Sequence, residues 1–185
     1  MIKMTKPNQS AKIHMTYGTG TGKNYVAAYS SALRQAGIHE FNLQEGYPII
    51  PRNSIVRLMG EEERQELVQL GNRGDVCYGV VAKNIGMERG RVYSAGIGWV
   101  QDREGSGFIV RYPGIVPITL YNEQDVEALI RDGIGSLQEG EGRVWDSPEG
   151  EPSIWGDLEL KVVSKECESN TVAAVAVAIV KVEKL

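Results

Sequence analysis

Aromatic side chains are scarce in this chain: Phe 2, Trp 3 and Tyr 8 make up 7% of its 185 residues. A core built on stacked rings is excluded, and the apolar interior must come from aliphatic side chains. Cysteine is rarer still, with only Cys77 and Cys167, far apart in sequence. Two such thiols make neither a disulfide framework nor a zinc site. They read as small buried thiols in a reducing compartment. No apolar run approaches the roughly 20 residues that span a bilayer. The longest, from Val172 to Val180, reads as a buried strand. An excess of positive charge is also missing: Lys+Arg 20 stand against Asp+Glu 24, for a formal net charge of -4. Such a chain lacks the broad basic surface of a non-specific nucleic-acid binder. The polar stretch from Met1 to Lys12 lacks the apolar centre of a secretory leader. Together these absences point to a cytoplasmic protein with no nucleic-acid or membrane partner.

What is present is ordinary globular composition, 42% hydrophobic and 24% charged, with an unusual 22 glycines. That balance excludes a disordered chain and suits one domain with one sizeable core. Residues 1–11 read as a loose arm and residues 12–185 as the domain. Lys12 to Tyr17 alternates as a short strand, and Gly18-Thr19-Gly20-Thr21-Gly22 reads as a flexible turn. Asn24 to Ala36 has helical periodicity, with Gly37 at the left-handed cap. Phe41 to Leu43 and Ser54 to Leu58 read as strands, and the 60–69 segment as a charged helical turn or a mobile insertion. Asp75 to Lys83 and Arg91 to Gln101 alternate as paired strands do, and Phe108 to Tyr112 returns after a hairpin-type turn. Asn122 to Leu137 is a second helix with Asn122 as its cap, weakened by Gly133 and Gly135. Gly140 to Pro152 is a loop, and Leu158 to Cys167 and Thr171 to Val182 close the chain as strands. Many strands, two longer helices and no repeat argue for α+β with largely antiparallel sheets.

Most candidate chemistry fails on inspection. Gly18 to Lys23 ahead of a helix invites a phosphate-loop reading, but Tyr17 stands at the first glycine position and Asn24 at the metal-binding hydroxyl. What remains is a turn facing a helix start, able at most to hold an anion weakly. His14 and His39, the only histidines, are not at metal-ligand spacing. Glu61-Glu62-Glu63 and Glu139-Gly140-Glu141 read as solvated loops without the alternation a calcium site needs. Trp99, Trp145 and Trp155 read as core or subunit-interface residues.

An ordered set of segments carries a resemblance. Gly18 to Pro51 reads GTGTGKNYVAAYSSALRQAGIHEFNLQEGYPIIP, with Ala36-Gly37-Ile38, Asn42-Leu43 and Ile49-Ile50-Pro51 in register. VYSAGIGWVQDREGSGFIVRY follows from Val92 to Tyr112, and an Ala/Val-rich strand ends the chain. This order resembles the pyruvoyl-dependent arginine decarboxylases over residues 12–182, with 60–72 as an insertion. The resemblance implies an αββα sandwich of the pyruvoyl-dependent histidine/arginine decarboxylase type, assembled as trimers or dimers of trimers with sites between subunits. It also implies self-cleavage. A serine hydroxyl attacks the preceding carbonyl, and elimination leaves a pyruvoyl group that serves as electron sink for decarboxylating arginine to agmatine, in polyamine synthesis.

The residues at the matching places depart from that chemistry. The family's cleavage pair falls on Tyr47 and Pro48, and proline offers no nucleophile, so no pyruvoyl cofactor is expected there. Ser54 is the nearest downstream hydroxyl, with a surface or strand-start serine as the plain reading. The family's catalytic glutamate falls on Arg111, and its substrate-holding aspartate falls on Ser30. Asn42 is kept. Arg111, with Lys23 or Arg52 nearby, would favour over arginine an anion or a carboxylate from a neighbouring chain, or else pair across strands, for example with Glu104 or Asp102. The expectation is a catalytically silent relative without metal or pyruvoyl cofactor. It would act as a homotrimeric scaffold, or as a partner of an active paralogue, with a small anion held by Ser30, Asn42, Tyr47 and Arg111. The alternatives are an active decarboxylase of arginine or a related amino acid with relocated self-cleavage, and a purely structural assembly protein.

Overall fold

The computed structural model describes residues 11–46, 48–112, 123–140 and 155–183. The expected arm over 1–11 (apart from Ala11), Tyr47, the Asn122 cap, Trp145 and nearly all of the 140–152 loop lie outside the described residues. The first strand, β1 (Lys12–Gly22), is followed by helix α1 (Tyr25–Gln35) and strands β2 (Asn42–Glu45), β3 (Ile49–Ile50) and β4 (Ile55–Leu58). After the short helix α2 (Arg64–Leu67) come β5 (Val76–Gly86), β6 (Val92–Gln101) and β7 (Gly107–Tyr112). Helix α3 (Glu123–Gly140), β8 (Glu159–Glu166) and β9 (Thr171–Glu183) complete the order.

The strands form two sheets, one of five in the order β2-β5-β9-β1-β4 and one of four in the order β3-β7-β6-β8. All neighbours are antiparallel except β1–β4 and β2–β5. The mixed α+β reading therefore holds. The expected pairing of the 75–83 and 91–101 segments does not. β5 pairs with β2 and β9, whereas β6 pairs with β7 and β8 in the other sheet. Alternation shows that one strand face is buried. It does not show which strand lies alongside.

Aliphatic side chains fill the space between the sheets, as aromatic scarcity requires. Ile13, Met15, Val80 and Ala176 from the first sheet meet Ile97, Trp99, Ile109 and Val163 from the second. On the outer face of the first sheet, Ala28, Ala32 and Ala36 of α1 pack on Ala173, Val175 and Val177 of β9. On the outer face of the second, Val126 and Ile130 of α3 pack on Val162. The run from Val172 to Val180 is the central buried strand that its composition predicts.

Both long helices dock on glycine. The supposed flexible turn 18–22 is strand throughout, paired with β9 as far as Gly22↔Thr171. A Cβ on Gly18 would lie 2.3 Å from the Ala32 carbonyl oxygen, and one on Gly20 would lie 2.3 Å from the Ala32 nitrogen. These glycines are present because α1 lies almost on the strand backbone, not because the chain turns. With no free turn, the weak anion site expected there is gone too. On β6, a Cβ on Gly98 would lie 2.3 Å from Ile130 Cγ2, which admits α3 in the same way. Gly133, read as a weakness of α3, lies close against Val110: a Cβ there would come within 3.0 Å of Val110 Cγ1, so the glycine has a packing reason.

Helix α1 keeps its predicted ends. The Asn24 side chain accepts from the Ala27 N–H at 2.9 Å, and Gly37 follows with φ 77. The 60–69 segment contains the charged helical turn, one of its two expected forms, as α2, and it is anchored to the core. Met59 and Leu67 are buried against α1, and Arg64 is 4% exposed. Trp99 and Trp155 are both buried, and the Trp155 ring lies 5.4 Å from that of Phe108.

Candidate functional site

The stretch from Glu45 to Ile49 carries the chain from one sheet to the other. β2 ends at Glu45, level with Gly79 of β5, and the Gly46 N–H donates to the Gly79 carbonyl at 2.8 Å. β3 begins at Ile49, opposite Phe108 of β7. Between them the Pro48 carbonyl accepts from the Ile109 N–H at 2.8 Å. The position that resembles the family's cleavage residue is therefore fixed to β7, the strand that carries Arg111.

Arg111 lies two residues beyond Ile109 and so shares its face of the strand. That face looks across at the first sheet. Nη1 donates to the Val81 carbonyl at 2.8 Å and lies 3.0 Å from Glu45 Oε1, while Nη2 donates to Glu45 Oε2 at 3.1 Å. The result is a two-pronged ion pair tied to a backbone acceptor, the geometry a guanidinium makes best. Hydrogen bonding from Arg111 holds the Glu45 carboxyl below the usual range, against a smaller opposing effect of burial. Lys83 adds to the lowering and lies 5.6 Å above the Tyr29 ring. The Tyr29 hydroxyl is pushed up, by burial first and by the Glu45 charge second.

This pairing corrects one expectation. Arg111 does not pair with Glu104 or Asp102. Glu104 is taken by Arg52, and Asp102 accepts from the Glu104 and Ser106 N–H groups within its own turn. Arg52 is thereby committed elsewhere, and Lys23 is exposed next to the α1 cap. The positive charge expected at Arg111 is met by a carboxylate of the same chain. Sequence reading missed Glu45 because it lies in another strand, well before Arg111, and only the fold brings the two together. Tyr29 and Lys83 were missed for the same reason.

The other expected site residues are placed differently. Ser30 is exposed on α1, one residue past Tyr29. Asn42 lies at the far end of β2 from Glu45, and its Nδ2 donates to the Gly74 carbonyl at 2.5 Å. An odd spacing of three puts Asn42 and Glu45 on opposite faces of that strand. Among the described contacts none joins Ser30 or Asn42 to Arg111. Tyr47 lies outside the described residues. His14 is near Met59 Sδ, and His39 pairs with Glu40. Among the described residues no group of three or more His, Cys, Asp or Glu could hold a metal ion. Nor does any described helix have the length and apolarity to cross a membrane.

A pyruvoyl group does not fit the Pro48 position. The ring has no side-chain hydroxyl to attack the preceding carbonyl or to leave by elimination. Ser54 has different surroundings. It is 5% exposed, its hydroxyl has no hydrogen-bond partner, and the residue before it, Asn53, is at φ 61. Asparagine takes left-handed backbone readily, so the unusual feature here is the sequestered hydroxyl without a partner, which sequence alone does not show.

Comparison with known proteins supplies the lineage. A family model described as pyruvoyl-dependent arginine decarboxylase matches residues 12–184. Among curated proteins, the pyruvoyl-dependent arginine decarboxylase of Picrophilus torridus is 30% identical over 102 residues, covering 54% of this chain and 53% of that protein. The one from Thermoplasma volcanium is 31% identical over 96 residues, covering 52% of this chain and 50% of the relative. The one from Methanococcoides burtonii is 37% identical over 87 residues, covering 47% and 46%. The chain thus spans about half the length of the curated relatives it matches.

Proposed function

The chain belongs to the pyruvoyl-dependent arginine decarboxylase family, and from that premise we propose that it is a catalytically silent member acting as a cytoplasmic oligomeric scaffold or as partner subunit to an active paralogue. The observation that carries this reading is the use made of the cleavage region. Pro48 stands where the resemblance places the serine, its carbonyl holds β7, and the Arg111 that follows on β7 is locked onto Glu45. A guanidinium in place of a catalytic carboxylate would repel arginine, and Ser30 cannot supply the bidentate carboxylate that arginine recognition uses.

The layering supports the same lineage. Two packed sheets with α1 on one outer face and α3 on the other are what an αββα sandwich of the family type requires. We read the assembly as a homotrimer or dimer of trimers, with Ser30, Asn42, Tyr47 and Arg111 near an intersubunit pocket. Since Glu45 offsets Arg111, any small anion there would be held by Lys83 as well as Arg111. The purified protein should release no agmatine from arginine. Release at a family-like rate would end this reading.

A second reading has one observation in its favour. The unpartnered Ser54 hydroxyl behind the left-handed Asn53 suits a relocated self-cleavage, with Oγ attacking the Asn53 carbonyl. Such a protein would be an active carboxy-lyase, split between Asn53 and Ser54.

A further inference from the structure

Away from the Arg111 site, the segment that resembles an insertion brings a buried cation to the edge of the core. Arg64 is 4% exposed. Its guanidinium lies 4.0 Å from the centre of the Tyr17 ring, and Nη1 donates to the Gln35 carbonyl at 3.2 Å. The remaining donors, Nε and Nη2, are sealed from solvent and have no hydrogen-bond partner. Those two atoms form the side-on edge of the guanidinium, whose parallel N–H bonds match the two oxygens of a carboxylate or phosphate. Leaving them empty is costly, because neither water nor protein replaces their lost hydration.

A second cation converges on the same ring. Lys161 Nζ of β8 lies 4.6 Å from the Tyr17 centroid. Two like charges share one aromatic face system, and only an anion relieves both at once. The residues involved line a cavity of about 260 Å³, bounded by Tyr17, Thr19, Gln35, Arg64, Lys161 and Ser164. Glu61 and Glu123 also line it, yet neither carboxylate reaches the Arg64 edge. The cavity is of small-molecule size and Arg64 forms part of its wall; since Nε and Nη2 are covered, an oxyanion reaches them only as the side chain turns toward the cavity.

We propose that this cavity is a binding site for a small oxyanion, held two-pronged by Nε and Nη2 of Arg64 and neutralised further by Lys161. The ligand presents two oxygens side by side, as a carboxylate or a phosphate does. The site is separate from the Arg111 pair and does not depend on whether the chain cleaves itself.

Titration calorimetry on the full-length protein tests it, using succinate, inorganic phosphate and, as reference, chloride at matched ionic strength. Saturable heat at one ligand per chain is expected from succinate or phosphate and not from chloride; which of the two binds identifies the source of the oxyanion. Arg64→Lys keeps the charge but loses the fork, and should weaken binding by about tenfold or more. Lys161→Gln, at a half-buried strand position, leaves the core untouched and should weaken it by about threefold or more. No heat beyond chloride from either anion overturns the proposal. Binding that survives unchanged in Lys161→Gln, and in Arg64→Lys if that variant folds, also overturns it.

Discussion

Arg111 and Glu45 meet across the gap between the two sheets, with Nη1 3.0 Å from Oε1 and Nη2 3.1 Å from Oε2. Arg111 is the more enclosed partner, its side chain 21% exposed against 61% for Glu45. The Glu45 carboxyl is depressed in the fold, so its contribution is present above the unfolded carboxylate range and is lost as pH falls through its lower folded value. Glu45→Gln should therefore flatten the acid limb of stability slightly, while costing well under about 1 kcal/mol at neutral pH because the carboxylate is exposed. Arg111→Ala also frees the Val81 carbonyl and should cost more, about 1–2 kcal/mol by urea unfolding. Equal, negligible losses would show that the pair holds nothing.

Glycine placement gives a sharper pair of outcomes. Gly20→Ala would push a methyl to 2.3 Å from the Ala32 nitrogen, so α1 must lift from β1. A loss of about 3 kcal/mol is expected, or failure to fold. Gly135→Ala, on α3 with nothing within 4 Å of the added carbon, should instead stabilise by about 0.5–1 kcal/mol. Chemical denaturation of both variants checks the signs.

These glycines also show what the sequence could and could not reveal. Gly-Thr-Gly-Thr-Gly is itself a period-two pattern, with every glycine on one face, but the weight of glycine as a turn residue hides it. The long helices, the buried β9 and most strand positions follow from periodicity. Sheet membership of β5 and β6 does not, because alternation carries no partner identity. At the candidate site, Arg111 and Pro48 were legible by register with a known family. Glu45, Tyr29, Lys83 and Arg64 were not, since their relevance comes from contacts between distant segments.

His14 should act on the acid side of neutrality. Its pKa is lowered from 6.5, first by burial and then by Lys12 and Arg57, with Glu66 opposing. The unfolded chain therefore binds the proton more readily, and stability should fall as pH drops below about 6.5 until the folded group also protonates. His14→Gln should remove that part of the slope in thermal unfolding run from pH 7 to pH 5. An unchanged slope would assign it to other groups.

Both thiols should be silent in the native protein. Burial pushes the Cys77 thiol up to about 11. Cys167 is likewise buried, its Sγ 3.2 Å from the Asn170 carbonyl oxygen. A thiol-reactive dye at pH 8 should label neither until denaturant is added, then both. Rapid native labelling of Cys77 would contradict its enclosure.

The central claim is that the region around Pro48 cannot generate a carbonyl cofactor. Intact mass of the purified, denatured protein decides it most directly. A single chain at 20.3 kDa is the predicted result. Two fragments, the downstream one beginning with a ketoacyl group, would contradict it, and division after Asn53 would assign the chemistry to Ser54.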